Sequence, residues 1–217
     1  MSKRTVIVSG GMLEEAFVCS ILRRPDTGYI IGVDRGLQFL YEHQIMPDVI
    51  VGDFDSIPAA TLKYYRTAGI PIRAFDPVKD ASDTEIALRL AIENQKDNVV
   101  ILGATGSRVD HIWANVQILK IALDAGITAE ILDGHNRIRL LNRKICLKRS
   151  EAYGDYFSVF PLDGAVEDFN ISGAKYPLVH HRLVPYDSLC VSNQIQGDEA
   201  VIHFLQGSLV VLMETKD

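Results

Sequence analysis

Cysteine is scarce and badly placed for pairing. Cys19, Cys146 and Cys190 are odd in number, far apart, and outside any CxxC spacing, which excludes a disulfide framework and signals no zinc site. All three are expected as small buried or partly buried thiols. Basic clusters are missing as well: 22 Lys+Arg stand against 28 Asp+Glu, a formal net charge of -6. The chain therefore lacks the electrostatic footprint of a nucleic-acid or anionic-membrane binder, and neither partner is expected. No apolar run approaches the roughly 18 to 20 residues of a spanning helix, and the first eleven residues lack a secretory signal, so a cytoplasmic location is the expectation. Internal repeats and low-complexity tracts are absent too. What is present is 217 residues, 47% hydrophobic and 23% charged, an ordinary globular composition long enough for one large or two small domains.

From Thr5 to about Asp133, short apolar runs alternate with helical stretches: TVIVSGG then EEAFVCSILRR, YIIGVD then GLQFLYEHQ, DVIVGDF then AATLKYYRTAG, PIRAF then SDTEIALRLAIENQ, NVVILGATG then DHIWANVQILKIALDAG, and finally TAEILDG. Continuous Val/Ile-rich runs belong to strands buried on both faces, so the pattern predicts a doubly wound, Rossmann-like α/β domain with a parallel sheet. Beyond Asp133 the texture changes to short strand-like runs, IRLLN, KICLKR, YFSVFPLD, AVEDFNISG, SLCVSNQI, EAVIHFLQ and SLVVLMET, separated by Gly, Pro and Asp turns. These predict an all-β sandwich. The boundary falls near residues 135–149, and the chain divides into an α/β domain over 1–135 and a sandwich domain over 136–217.

Ligands of doubly wound sheets bind beyond the carboxyl ends of the strands. Those positions carry Gly10 and Gly11; Asp34; Asp53 and Asp55; Lys79, Asp80 and Asp83; and the segment 103–110 with Gly103, Thr105, Gly106, Arg108 and Asp110. Six carboxylates on one rim would repel one another unless a cation sat among them, and Mg²⁺, which takes carboxylate oxygens and keeps waters and substrate phosphates as further ligands, is the natural occupant. An Asp after a strand is also a common cap or turn former. Ser82 and Glu85 fit a capping box, and they are expected to cap rather than to bind. Asp53 and Asp55 differ, because alternation along an extended segment would turn both carboxylates to one side, as a metal site requires. The 103–108 loop matches neither GxGxxG nor a Walker A motif, but small residues between a buried strand and a helix start admit phosphate to the backbone N–H groups, with Arg108 available for a bidentate contact. His111 and Asn115 are expected on a helix surface or in packing. Trp113, Ile112, Val116, Leu119 and Leu123 are expected in the core.

Taken in order, VDRG, VGDFDS, KDASDTE, LGATGSRVDH, SVFPLDGAVEDFNISGAKYPL and CVSNQI resemble the bacterial thiamine pyrophosphokinase family over essentially the whole chain. The resemblance implies a catalytic α/β domain followed by a thiamine-binding and dimerising sandwich, homodimers with shared active sites, and transfer of a pyrophosphoryl group from ATP to thiamine with Mg²⁺, giving thiamine diphosphate and AMP. It places the ATP and Mg²⁺ site on Asp34, Asp53, Asp55, Asp80 and Asp83, with Arg108 and Asp110 from the fifth-strand loop. Ser192 and Asn193 would contribute to the thiamine pocket of the partner subunit; without the resemblance they read as a turn between strands. Arg35 stands where the family commonly has Gly, and Ser82 where it commonly has Thr.

Such a reaction needs in-line positioning and charge neutralisation. The expectation is Mg²⁺ on Asp53, Asp55 and Asp83, Arg108 against developing negative charge, and either Asp83 or Asp110 as acceptor of the hydroxyl proton. An acidic rim suits a cationic thiazolium. Two other classes compete: a Mg²⁺-dependent phosphohydrolase with Asp53 as covalent nucleophile, and a non-catalytic nucleotide-binding regulator.

Overall fold

The computed structural model describes residues 3–74 and 81–217. The chain divides into two compact units, residues 1–134 and 135–217.

The first unit alternates strand and helix: β1 (Arg4–Val8), α1 (Glu15–Leu22), β2 (Thr27–Val33), α2 (Gly36–Glu42), β3 (Val49–Gly52), α3 (Ala59–Thr67), β4 (Ile72–Ala74), α4 (Asp83–Glu93), β5 (Asn98–Leu102), α5 (Val109–Asp124) and β6 (Thr128–Leu132). Its strands run in the order β4-β3-β2-β1-β5-β6, and every pair is parallel. Val6, Ile7 and Val8 of β1 and Val99 to Leu102 of β5 have no solvent exposure, which is why these runs show no polar alternation. The strand order turns back between β1 and β5, and that reversal opens a crevice beyond their carboxyl ends.

The second unit is antiparallel: β7 (Asn136–Leu141), β8 (Ile145–Lys148), a 3-10 turn (Arg149–Glu151), β9 (Tyr156–Pro161), β10 (Val166–Ser172), β11 (Leu178–Leu183), β12 (Glu199–His203) and β13 (Val210–Thr215). The strands form two arrays, β7-β13-β9 and β11-β10-β12-β8. Burial alternates along β9 and β12. The buried faces meet in one core that draws Phe157, Val159 and Leu212 from the first array and Leu147, Phe169 and Ile202 from the second. The molecule thus combines a parallel α/β sheet with antiparallel sheet, as the run pattern predicts.

Several expectations need correction. SLCVSNQI is not a strand: Ser192 takes a left-handed φ of 56°, and Asn193 and Ile195 make only isolated bridges. The strand is instead β11, whose His180, His181 and Arg182 leave it without an apolar alternation. Cys146 is exposed, with its thiol donating to Glu199 at 3.1 Å, a bond that pushes its pKa up. Trp113 is 47% exposed rather than in the core. Among the described residues, no helix is long and apolar enough to cross a membrane.

One buried charge in the second unit yields a stability prediction. The Glu214 carboxylate, 3% exposed, receives Arg137 through Nε and Nη2 at 2.7 and 2.6 Å and Arg139 Nη2 at 2.8 Å. Burial by itself would raise its pKa, but the Arg137 bond and the two guanidinium charges more than offset this and leave the group below the ordinary Glu value. A carboxylate depressed on folding contributes stability in full above its unfolded pKa and loses it as pH falls through the folded one. Glu214→Gln, which leaves two guanidiniums uncompensated, should cost about 3 kcal/mol or more at neutral pH in urea unfolding. It should also flatten the acid limb of the stability curve. An unchanged urea midpoint and acid limb would show that the triad contributes nothing net.

Candidate active site

At the β1/β5 reversal, the loop after β1 is stitched to the loop after β5. Ser9 N donates to Leu102 O at 2.8 Å, Gly11 N to Gly103 O at 2.8 Å, and Met12 N to Thr105 O at 2.7 Å. The approach is close enough that a Cβ on Gly11 would collide with the Gly103 and Thr105 carbonyls, and Gly103 itself adopts φ 66°, where a side chain is strained. Asn115, buried on α5, anchors the same loop by donating from Nδ2 to Ala104 O at 2.8 Å. Ser9 and Thr84 hydroxyls lie 2.9 Å apart in the interior and tie the first loop to the start of α4. Four separate segments therefore form one rigid rim.

The rim encloses a cavity of about 830 Å³, within the range of small-molecule sites. Of the residues singled out from the sequence, Asp34, Asp83, Gly103, Thr105, Gly106, Arg108 and Asp110 line it. Asp34 is held at φ 41°, with its N–H donating to Val51 O at 3.2 Å, and its carboxylate stands where a Cβ on Gly52 would be. Ser82 caps α4 by accepting from Glu85 N at 3.2 Å. The Glu85 carboxylate does not reach back to complete the box; it accepts from Arg89 Nε at 2.9 Å. Lys79 and Asp80 lie outside the described residues.

Asp53 and Asp55 come together by a different route from the one expected. The segment is a turn, not an extended strand end: Phe54 takes φ 63°, and Asp55 N donates to Asp53 Oδ1 at 3.1 Å. Phe54 packs against the cluster of Leu37, Ile50 and Tyr65, which fixes the turn. The charge and hydrogen bonding of Asp53, with lesser contributions from slight desolvation and the charge of Asp83, raise the pKa of Asp55. Three carboxylates from two segments, the turn after β3 and the start of α4, thus share one electrostatic neighbourhood.

Among the described residues, no three acidic, His or Cys side chains converge into a ready-made cage for a metal ion. Mg²⁺ does not require one, since it is commonly held by one or two carboxylates with waters and phosphates completing its shell. An adjacent carboxylate pair whose mutual repulsion is visible in the raised Asp55, with Asp83 close enough to add to it, is a donor set of that type.

Arg108 is not poised over open space. Its Nε and Nη2 donate to Asp110 Oδ1 and Oδ2 at 3.2 and 2.5 Å. The same bonds hold the Asp110 carboxyl down to about 2. Both groups are exposed, so the pair contributes little to stability, and its effect is to orient the guanidinium. The cavity also takes in Arg35 and Ser56, from the segments that follow β2 and β3, and His111, which was expected on the helix surface or in packing.

Ser192 and Asn193 lie in the second unit. The Asn193 side chain is buried, donates to Tyr176 O at 2.8 Å, and accepts from Tyr176 N and Gln194 N at 3.0 and 2.9 Å. Its amide thus shapes the 173–176 loop. Ser192 is exposed, and its N–H donates to Ser158 Oγ at 3.0 Å.

Comparison with known proteins agrees with this architecture. Residues 25–131 match the family described as "Thiamin pyrophosphokinase, catalytic domain", and residues 142–209 match "Thiamin pyrophosphokinase, vitamin B1 binding domain". Thiamine pyrophosphokinase of Bacillus subtilis (strain 168) is 30% identical over 198 residues, 88% of this chain and 92% of the relative. The crystal structure of thiamine pyrophosphokinase from Bacillus subtilis superposes with a TM-score of 0.87 at 27% identity, covering 99% of this chain and 100% of the other. The Geobacillus thermodenitrificans enzyme does so with a TM-score of 0.84 at 29% identity, covering 99% and 98%. With its two segments matching the two domains of one family in order, and a relative aligned along nearly its whole length, the chain belongs to the thiamin pyrophosphokinase family.

Proposed function

We propose that the chain is an ATP-dependent diphosphotransferase that moves the pyrophosphoryl group of ATP to the hydroxyl of thiamine. In this reaction the hydroxyl oxygen attacks the β-phosphorus, the bond from that phosphorus to the oxygen bridging it to the α-phosphate breaks, and AMP leaves. The observation that carries the reading is the β1/β5 cavity, which gathers Asp34, Asp83, the glycine loop and Arg108 from distant parts of the chain. Asp53, Asp55 and Asp83 would hold Mg²⁺, whose charge offsets that of the phosphoryl oxygens.

The remaining roles fall on the chain's own groups. Small residues at 103–107 let phosphate approach the backbone, and Arg108, oriented by Asp110, stabilises negative charge as it develops. Both Asp110 oxygens are engaged by Arg108, so Asp83 is assigned the proton of the thiamine hydroxyl. Residues 1–135 form the doubly wound catalytic domain, and 136–217 the sandwich domain that binds thiamine and dimerises, with Ser192 presented to the partner's site. Lys79 and Asp80 are assigned to nucleotide binding by their place in the KDASDTE motif.

Incubation with ATP, Mg²⁺ and thiamine should give AMP and thiamine diphosphate in equal amounts. Release of ADP, or of phosphate without any need for thiamine, would overturn the reading; the latter is the phosphohydrolase outcome. Binding of ATP without turnover would mark a regulator. Shared sites predict that an inactive Asp55→Asn protein mixed with an inactive Ser192→Trp protein regains activity on subunit exchange, because one heterodimer pocket has neither lesion. A mixture no more active than its parts, with exchange verified, would refute shared pockets.

A further inference from the structure

The buried positions of α4 are 84, 87, 88 and 91, the spacing of one helical stripe. Ala87, Leu88 and Ala91 have no solvent exposure, and buried Thr84 ends this apolar stripe with a hydroxyl. The same break occurs on β1, against which α4 packs: Val6, Ile7 and Val8 have no exposure and are followed by buried Ser9. The two hydroxyls meet at 2.9 Å. Apolar contact is non-directional, and Ala87 and Ala91 offer little side chain to interlock, so burial alone holds α4 to the sheet without fixing its position along its own axis. A hydrogen bond has a preferred length and angle and supplies that fix. Ser82, by accepting from Glu85 N, acts only within the start of α4 itself.

Ser9 is held in turn by the loop after β5. Its N–H donates to Leu102 O at 2.8 Å, and its carbonyl stands where a Cβ on Gly103 would be. Thr84 adjoins Asp83, which lines the large cavity together with Gly103, Thr105 and Gly106. The chain of contacts from Asp83 through Thr84 and Ser9 to Gly103 therefore ties a carboxylate to the loop that admits phosphate. Misplacing such a group by about 1 Å can cost about 10²-fold in rate. From these observations we propose that Ser9 and Thr84 are positioning residues, whose mutual hydrogen bond sets the place of Asp83 relative to the loop after β5.

The inference rests on the ATP-dependent reading, and its test is separable from it. Ser9→Ala, Thr84→Val, the double variant and Thr84→Ser are compared with the unaltered protein in steady-state kinetics, thermal unfolding and equilibrium titration of inorganic pyrophosphate at fixed Mg²⁺. Each single apolar variant should lower kcat by about tenfold or more with the KM for thiamine within about twofold, and should melt early because it strands a buried hydroxyl. The double variant strands none, so it should melt close to the unaltered protein yet stay as slow as the singles, since two groups acting through one bond do not add. Thr84→Ser keeps the hydroxyl and should hold kcat to within about threefold. Pyrophosphate, met by the loop and by the metal that Asp83 would help to hold, should bind about tenfold more weakly in both singles and the double. A double variant that regains kcat along with its melting temperature would assign the bond to stability alone. Losses that multiply in the double variant would mean two separate contacts, and a Thr84→Ser as slow as Thr84→Val would assign the effect to packing. Each of these results, unchanged kcat in the singles, or failure of the unaltered protein to bind pyrophosphate would overturn the proposal. Should the unaltered protein bind pyrophosphate but form no thiamine diphosphate, the function falls, and the pyrophosphate series alone decides the link.

Discussion

Asp53→Asn and Asp55→Asn should each lose at least about 10²-fold in kcat, the scale of removing metal-borne charge stabilisation from a transferring phosphoryl group, while melting close to the unaltered protein. The expectation of an intact fold follows from the turn itself. Asp53 Oδ1 accepts from Asp55 N, a role an asparagine carbonyl can retain, and the anchor of the turn is Phe54 in the cluster of Leu37, Ile50 and Tyr65, which neither substitution touches. Surface changes that spare such features usually shift stability by less than about 0.5 kcal/mol. The measurement is a steady-state assay at saturating Mg²⁺ paired with thermal unfolding. Full activity in either variant would remove the metal role from the pair. Inactivity accompanied by early unfolding would assign the carboxylates to structure.

The same turn shows where the sequence stops being legible. TVIV and NVVIL announce themselves as doubly buried strands because no polar residue interrupts them, and the glycines of 103–106 announce a phosphate-admitting turn because Gly103 must adopt φ 66°. A non-glycine residue in the left-handed region carries no such mark. Phe54 at 63°, Ser192 at 56° and His180 at 49° are imposed by packing and hydrogen bonds from elsewhere in the chain. Each of them defeated or obscured a local reading: an extended GDFDS, a strand at SLCVSNQI, and the polar strand β11. The carboxylate rim was legible as a set of strand ends, but the mutual influence of Asp55 and Asp83 and the Ser9–Thr84 bond across 75 positions are products of tertiary convergence, and the capture of Arg108 by Asp110, two residues further on, is set by the backbone at the start of α5. Chemistry could be assigned to residue types in advance, whereas which carboxylate orients an arginine and which takes a proton depends on distances.

That division bears directly on Arg108. Arg108→Lys keeps the charge but replaces a planar fork, which now spans both Asp110 oxygens, with a single ammonium; it should lower kcat by about tenfold. Arg108→Ala should lower it by about 10² to 10³, the cost seen when a preorganised donor to developing charge is removed. The two effects differ because the lysine loses orientation and the alanine loses the cation altogether. Asp110→Asn isolates the orienting role. It leaves Arg108 charged but held by a weaker acceptor, so its loss should be smaller than that of Arg108→Ala and should appear in kcat more than in the KM for ATP. None of the three should alter the unfolding midpoint, since the pair is exposed and surface ion pairs contribute little. If Arg108→Ala turns over at the unaltered rate, the loop after β5 is only a tight turn and the charge-stabilising role must move to another cation. If Asp110→Asn instead matches Arg108→Ala in severity, with Arg108→Lys near normal, Asp110 is the proton acceptor and the assignment of that proton to Asp83 is wrong.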